Sequence, residues 1–120
     1  MDKDLDIVVY GATGFTGKLC VKYLTENAKD LRWAIAGRDL TKLSQVAIRF
    51  STKTETLVAE GGDESALDAI TSRTKVIIST AGPFHRYGSN LVASCVKNST
   101  HYVDITGETF WIKEIIDKHH

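Results

Sequence analysis

The sequence predicts an α/β fold, a doubly wound parallel sheet of five strands in the order 3-2-1-4-5. Short apolar runs rich in β-branched residues alternate with helix-period segments five times along the chain. That alternation calls for parallel strands joined by right-handed crossovers, with helices on both faces. The stretch "VVYGATGFTGKLC" (8–20) sets three glycines, Gly11, Gly14 and Gly17, between the first strand and the first helix. In such a sheet the strand order reverses at strands one and four, and a crevice opens at their carboxyl ends.

Each element follows from its pattern. "DIVVYG" (6–11) is short and apolar enough for a buried strand. Residues 14–28 turn helical, with Cys20 and Leu24 four apart and Leu19 and Tyr23 likewise. "RWAIAG" (32–37) is the second strand. The helix over 40–50 sets Leu43, Val46, Ala47 and Phe50 on one side. "ETLVAE" (55–60) is a weaker third strand, and Asp63 caps a helix over 63–71. "KVIISTAG" (75–82) is the strongly apolar fourth strand. A helix over 89–98 follows, with Leu91, Val92, Cys95 and Val96 on one face and Ser89 or Asn90 as its cap. "HYVDIT" (101–106) is the fifth strand. The last helix, over 108–120, gathers Trp111, Ile112, Ile115 and Ile116 on one face, a stripe that would favour self-association if exposed.

Bulk properties narrow the function. The chain has 120 residues, 42% hydrophobic and 25% charged, which fits one globular domain over 1–120. Fifteen basic and fifteen acidic side chains cancel, so there is no electrostatic footprint for nucleic acid or an anionic membrane. The apolar runs fall far short of a membrane span. The charged start "MDKDLDIVV" does not read as a secretory signal. Cys20 and Cys95 lie far apart and read as small buried hydrophobes in a reducing, cytoplasmic compartment. The scattered histidines, His85, His101, His119 and His120, give no metal-ligand cluster, so no metal is expected.

Three glycines exceed what a strand-to-helix turn requires. Gly11 lets the chain reverse, Gly14 lets a pyrophosphate approach the backbone, and Gly17 lets the helix pack against the sheet. The free N–H groups and positive dipole end of the helix then face the phosphates. The contact set is Gly11, Thr13, Gly14, Phe15, Thr16 and Gly17. Arg38 stands 24 residues after Gly14, where an adenosine ribose should lie. An acidic residue there would accept from the ribose of NAD. A guanidinium instead grips the 2′-phosphate of NADP, with Lys42 one turn into the next helix, so NADP is favoured over NAD. Asp39 adjoins Arg38 and is read as either a competitor for it or a helix cap. Asp63 follows "EGG" and is a cap that could also reach the adenine.

In "STAGPFHRYG" (79–88), Ala81 and Gly82 are small where a dinucleotide would cross, and Pro83 stiffens the loop. Phe84 and Tyr87 either flank the nicotinamide end or plug the loop. His85 is an acid–base candidate, outweighed by the plain reading of an exposed loop histidine. Asp104, Thr106 and Glu108 cluster near the same crevice, as capping residues or near the nicotinamide ribose. No proton donor is assigned.

The segments "DIVVYGATGFTGKL", "WAIAGRDLTKL", "STAGPFHRYGSNLVASC" and "HYVDITGE" followed by a Trp together resemble the saccharopine dehydrogenase-like oxidoreductases. The resemblance is to their amino-terminal NAD(P)-binding (Rossmann) domain and spans nearly the whole chain. It implies Gly11, Gly14, Gly17, Arg38, Ala81, Gly82 and Pro83 as cofactor contacts. It also implies an unidentified small-molecule substrate and, for eukaryotic members, association with mitochondria and lipid droplets. Family members carry a second domain and a sixth strand that have no counterpart in these residues. The chain is therefore expected to be an isolated or truncated cofactor module. The alternative reading is a dinucleotide-binding or interaction module without turnover. A short-chain dehydrogenase is disfavoured, because none of Tyr10, Tyr23, Tyr87 and Tyr102 has a lysine four residues later.

Overall fold

The computed structural model describes residues 3–80, 88–104 and 115–119. Nine elements alternate along the chain: β1 (Leu5–Tyr10), α1 (Phe15–Asn27), β2 (Trp33–Gly37), α2 (Leu40–Arg49), β3 (Glu55–Val58), α3 (Glu64–Thr71), β4 (Thr74–Ser79), α4 (Ser89–Lys97) and β5 (His101–Asp104). Residues 115–119 are helical. The strands form one sheet in the order β3-β2-β1-β4-β5, and every neighbouring pair is parallel, as the alternation requires. Among the described residues, no helix is long and apolar enough to cross a membrane.

The alternation of side chains along each strand divides the core into two layers. On one face Val9 and Ile35 pack with Val21 and Leu24 of α1 and Leu43 and Val46 of α2. On the other, Val8, Tyr10, Ala34 and Ile77 pack with Leu67 and Ile70 of α3 and Leu91 and Cys95 of α4. Both cysteines are free, and burial pushes the Cys95 thiol up to about 12, so it behaves as a small hydrophobe.

Three expectations need correction. Of the two apolar pairs read in the first helix, only the Leu24 side is buried, with Gly17 and Val21; Leu19 and Tyr23 are exposed. The third strand ends at Val58 rather than at residue 60, because the chain leaves the sheet to wall a cavity. Neither Ser89 nor Asn90 caps α4. Its N-cap is Gly88, and the Asn90 amide donates instead to the Gly61 carbonyl at 2.9 Å. In the last helix Ile115 packs, as Tyr102 does, against Val92, while Ile116 is exposed; Trp111 and Ile112 lie outside the described residues.

Candidate functional site

The carboxyl ends of β1, β2 and β3 and the loops leaving them enclose a cavity of about 430 Å³. Tyr10, Gly11, Thr13 and Gly14 form one side, Gly37 and Arg38 a second, Glu60, Gly61 and Gly62 a third, and Thr80 the fourth. This is the crevice where the strand order reverses.

The turn from β1 into α1 is built by its glycines. Gly11 has φ 87°, a left-handed conformation that favours glycine. Its N–H donates to the Ala36 carbonyl at 2.9 Å, and the Thr80 hydroxyl donates to its carbonyl at 3.0 Å, so the turn is tied to both flanking strands. A Cβ at Gly17 would stand 2.1 Å from the Gly11 carbonyl oxygen and 2.7 Å from Ala12 Cα, so α1 can sit this close only with glycine there. At Gly14 the nearest atom to such a carbon is the Gly11 oxygen at 3.6 Å, an ordinary contact. Among the described residues nothing demands glycine at 14.

The helix ends differ in how they are satisfied. Asp39 accepts from the Lys42 N–H at 3.1 Å and caps α2; Asp63 accepts from the Ala66 N–H at 3.1 Å and caps α3. The N-cap of α1 is Gly14, with no side-chain cap. That helix end borders the cavity through Thr13 and Gly14, and a helix N-terminus without a side-chain cap is the kind of end that binds phosphate. Arg38 is exposed at the rim and makes no ion pair among the described residues. Asp39, its neighbour, is committed to the helix cap instead.

Beneath the cavity the Tyr10 hydroxyl donates to the Ala59 carbonyl at 2.8 Å. Burial pushes its pKa up, against the pull of the nearby Arg38 cation, so the phenol stays neutral and holds the start of the Glu60–Gly62 wall.

The structure therefore brings Gly11, Thr13, Gly14 and Arg38 to one cavity. Lys42 faces a second cavity of about 380 Å³, shared with Thr13, Lys18, Gln45 and Arg49. Gly17 is consumed by packing, Phe15 is exposed, and Thr16 borders an apolar groove beside α1. Asp63 lies just past the cavity wall as a cap. Asp104 ends β5 opposite Ser79. Ala81, Gly82, Pro83, Phe84, His85, Tyr87, Thr106 and Glu108 lie outside the described residues. Sequence reading missed Tyr10, Glu60, Gly61, Gly62 and Thr80. The "EGG" run was the available signal for the wall, since two adjacent glycines after a strand leave the backbone bare.

The model of the saccharopine dehydrogenase NADP-binding domain matches residues 7–117. The chain belongs to this family. It is 39% identical over 121 residues to the trans-acting enoyl reductase of Mycobacterium leprae (strain TN), covering 98% of this chain and 29% of that protein. The trans-acting enoyl reductase of Mycobacterium bovis (strain BCG / Pasteur 1173P2) is 37% identical over 122 residues, with 99% and 29% covered. The chain thus spans under a third of these relatives. Among solved structures it resembles apo saccharopine dehydrogenase (L-Glu forming) from Saccharomyces cerevisiae, with TM-score 0.78 and 22% identity over 92% of this chain and 24% of that one. A short-chain dehydrogenase/reductase from Veillonella parvula in complex with NADP matches with TM-score 0.70 and 14% identity, covering 88% and 48%. At these identities the structures speak for the fold. NADP is the cofactor of the family domain, and the uncapped helix end, the bare backbone at Gly14 and Arg38, which has no ion-pair partner among the described residues, fit it.

Proposed function

We propose that residues 1–120 form the dinucleotide-binding domain of an NADP-dependent oxidoreductase. Its glycine turn takes the pyrophosphate and its Arg38 rim the 2′-phosphate. The observation that carries this reading is the start of α1: aspartates cap α2 and α3, α1 and α4 both start from a glycine without a side-chain cap, and of these four helices only α1 has its N-cap residue, Gly14, in the wall of the cavity, beside Gly11 and Arg38. When bound, NADP supplies hydride chemistry. This chain's part is to bind and orient it. Gly11, Thr13, Gly14, Phe15, Thr16 and Gly17 shape the phosphate end, Arg38 and Lys42 supply charge at the ribose end, and Asp63 stands beside the adenine wall. Ala81, Gly82 and Pro83 complete the set in this proposal.

For a whole protein of the relatives' length, the activity proposed from their name is enoyl reduction. The alternative reading is a module that binds the dinucleotide without turnover. Self-association through the last helix has the exposed Ile116 in its favour. Association with mitochondria or lipid droplets is supported by the family resemblance alone.

Calorimetric titration with NADP and with NAD tests the reading, and NADP should bind more tightly. Arg38→Asp should then weaken NADP about 10- to 100-fold, the worth of a charge-assisted contact, and NAD much less. Equal losses for both would remove the 2′-phosphate role, and no binding of either by the folded wild-type chain would overturn the proposal.

A further inference from the structure

The second cavity, on the α1–α2 side of the sheet, has walls of one charge. Thr13, Lys18, Lys42, Gln45, Val46 and Arg49 line its 380 Å³. Three cations stand round it and, among the described residues, no carboxylate does. Lys42 and Arg49 lie seven residues apart on α2, about two turns, so they share a face of that helix. Lys18 meets them from α1. None of the three makes an ion pair among the described residues, and Arg49 has only the Phe50 ring, 5.3 Å from its guanidinium carbon. Arg32, Arg73, Lys75 and Lys97, by contrast, each meet a carboxylate. Asp39, beside Lys42 in the fold, is committed to the α2 cap.

We propose that this cavity is a phosphoryl-binding site, with Lys18, Lys42 and Arg49 as its cations and Thr13 and Gln45 as its neutral hydrogen-bonding groups. Like charges gathered round one space repel, and an anion between them turns that repulsion into attraction. A phosphoryl group carries close to two negative charges and several acceptor oxygens, which suits donors arriving from two helices. Ammonium groups meet it as point charges and a guanidinium as a fork. Lys18 is half-buried, so an anion beside it is screened less than at an open surface. Val46 is the one aliphatic residue in the wall, which leaves an apolar ligand little to bury against.

Two sources supply this chemistry. Thr13 belongs to both cavities, so the 2′-phosphate of NADP has a way in from the dinucleotide side. Lys18 and Arg49 then join Arg38 in choosing NADP over NAD, and in this form the inference rests on the dinucleotide reading. The other source is the phosphate of a second molecule, which occupies the cavity whether or not a dinucleotide is bound.

Calorimetric titrations of the wild-type chain, Lys18→Gln and Arg49→Gln distinguish the two, with circular dichroism checking that each variant is folded. The probes are NADP, NAD, and inorganic phosphate added to the NAD-saturated chain. An NADP affinity about tenfold weaker in each variant, with NAD unmoved, assigns the site to the 2′-phosphate. An unchanged NADP affinity, with saturable phosphate binding to the NAD-saturated wild type that both variants lose, assigns it to a second molecule. The proposal is overturned if neither NADP nor phosphate senses either substitution, or if NADP and NAD weaken equally. Should neither dinucleotide bind, the dinucleotide reading falls by itself. Phosphate binding to the free chain then decides: lost in both variants it upholds this site, and absent or unchanged it overturns it.

Discussion

The two ends of the sheet are built on opposite principles. At the carboxyl end the backbone is bare: a glycine turn, a helix without a side-chain cap, an arginine without an ion-pair partner among the described residues. At the amino end almost every polar group is spoken for. Lys3 Nζ donates to the carbonyls of Thr71, Thr74, Asn98 and Ser99 and to Thr100 Oγ1, so one ammonium closes the carboxyl-terminal ends of α3 and α4. Arg73 bridges Asp4 and Glu55, Asp6 holds Arg32 and Lys75, and Asp68 holds Lys97 and Ser94. Stability is concentrated at the closed end, which leaves the open end its donors for a ligand.

The largest effect expected comes from the one residue at the open end that serves packing. Gly17→Ala puts a methyl 2.1 Å from a backbone oxygen, and neither α1 nor the turn can yield without losing the core beneath. A loss of about 3 kcal/mol or more is expected, read as a melting temperature lower by roughly 10 °C or more. An unchanged melt would mean that the turn is softer than its hydrogen bonds suggest.

Next is Lys3→Met, which strips the closed end of its central cation and leaves four carbonyls competing for water. About 2 kcal/mol is expected, in chemical denaturation, with no change in NADP affinity. A loss of affinity matching the loss of stability would show that the two ends are coupled.

Acid should act on the same end. Hydrogen bonds from the Arg73 guanidinium hold Asp4 and Glu55 below the usual carboxylate range; the Arg32 backbone N–H, its guanidinium and Lys75 do so for Asp6, and Lys97 and Ser94 for Asp68. A carboxylate depressed in the folded state contributes stability that is present above its unfolded pKa, about 4, and lost as pH falls through its folded value. The melting temperature should hold near neutrality and fall below about pH 4, and Arg73→Met should flatten that fall. A pH profile identical in Arg73→Met would place the acid sensitivity elsewhere.

Local chemistry made much of this legible. The order of elements and the strand order came from periodicity and crossover rules, and the caps at Asp39 and Asp63 from residue type at a helix start. Lys3 gave no signal, because its partners lie 68 to 97 residues away and a lysine in a charged leader looks solvated. The exposed flank of α1 was equally silent. A 3.6-residue period marks Leu19 and Tyr23 as apolar on a helix, but which flank the sheet covers is decided by where β4 and β5 end up. The wall at Glu60–Gly62 becomes part of a site only once β3 lies beside β2.

The smallest effect on stability belongs to the substitution that separates the two roles of glycine. Gly14→Ala adds a carbon 3.6 Å from its nearest neighbour, in extended backbone that any residue adopts. The fold should tolerate it within about 0.5 kcal/mol, since alanine also restricts the unfolded chain. A pyrophosphate lying on that backbone would meet the new methyl, so NADP affinity should drop about tenfold or more while the melt stays put. Gly17→Ala and Gly14→Ala then form a pair, one methyl in each of two glycines three residues apart, the first read in stability and the second in binding. If Gly14→Ala binds NADP as well as the wild-type chain, the phosphates do not lie on the turn, and the uncapped end of α1 is then a bare helix end facing water.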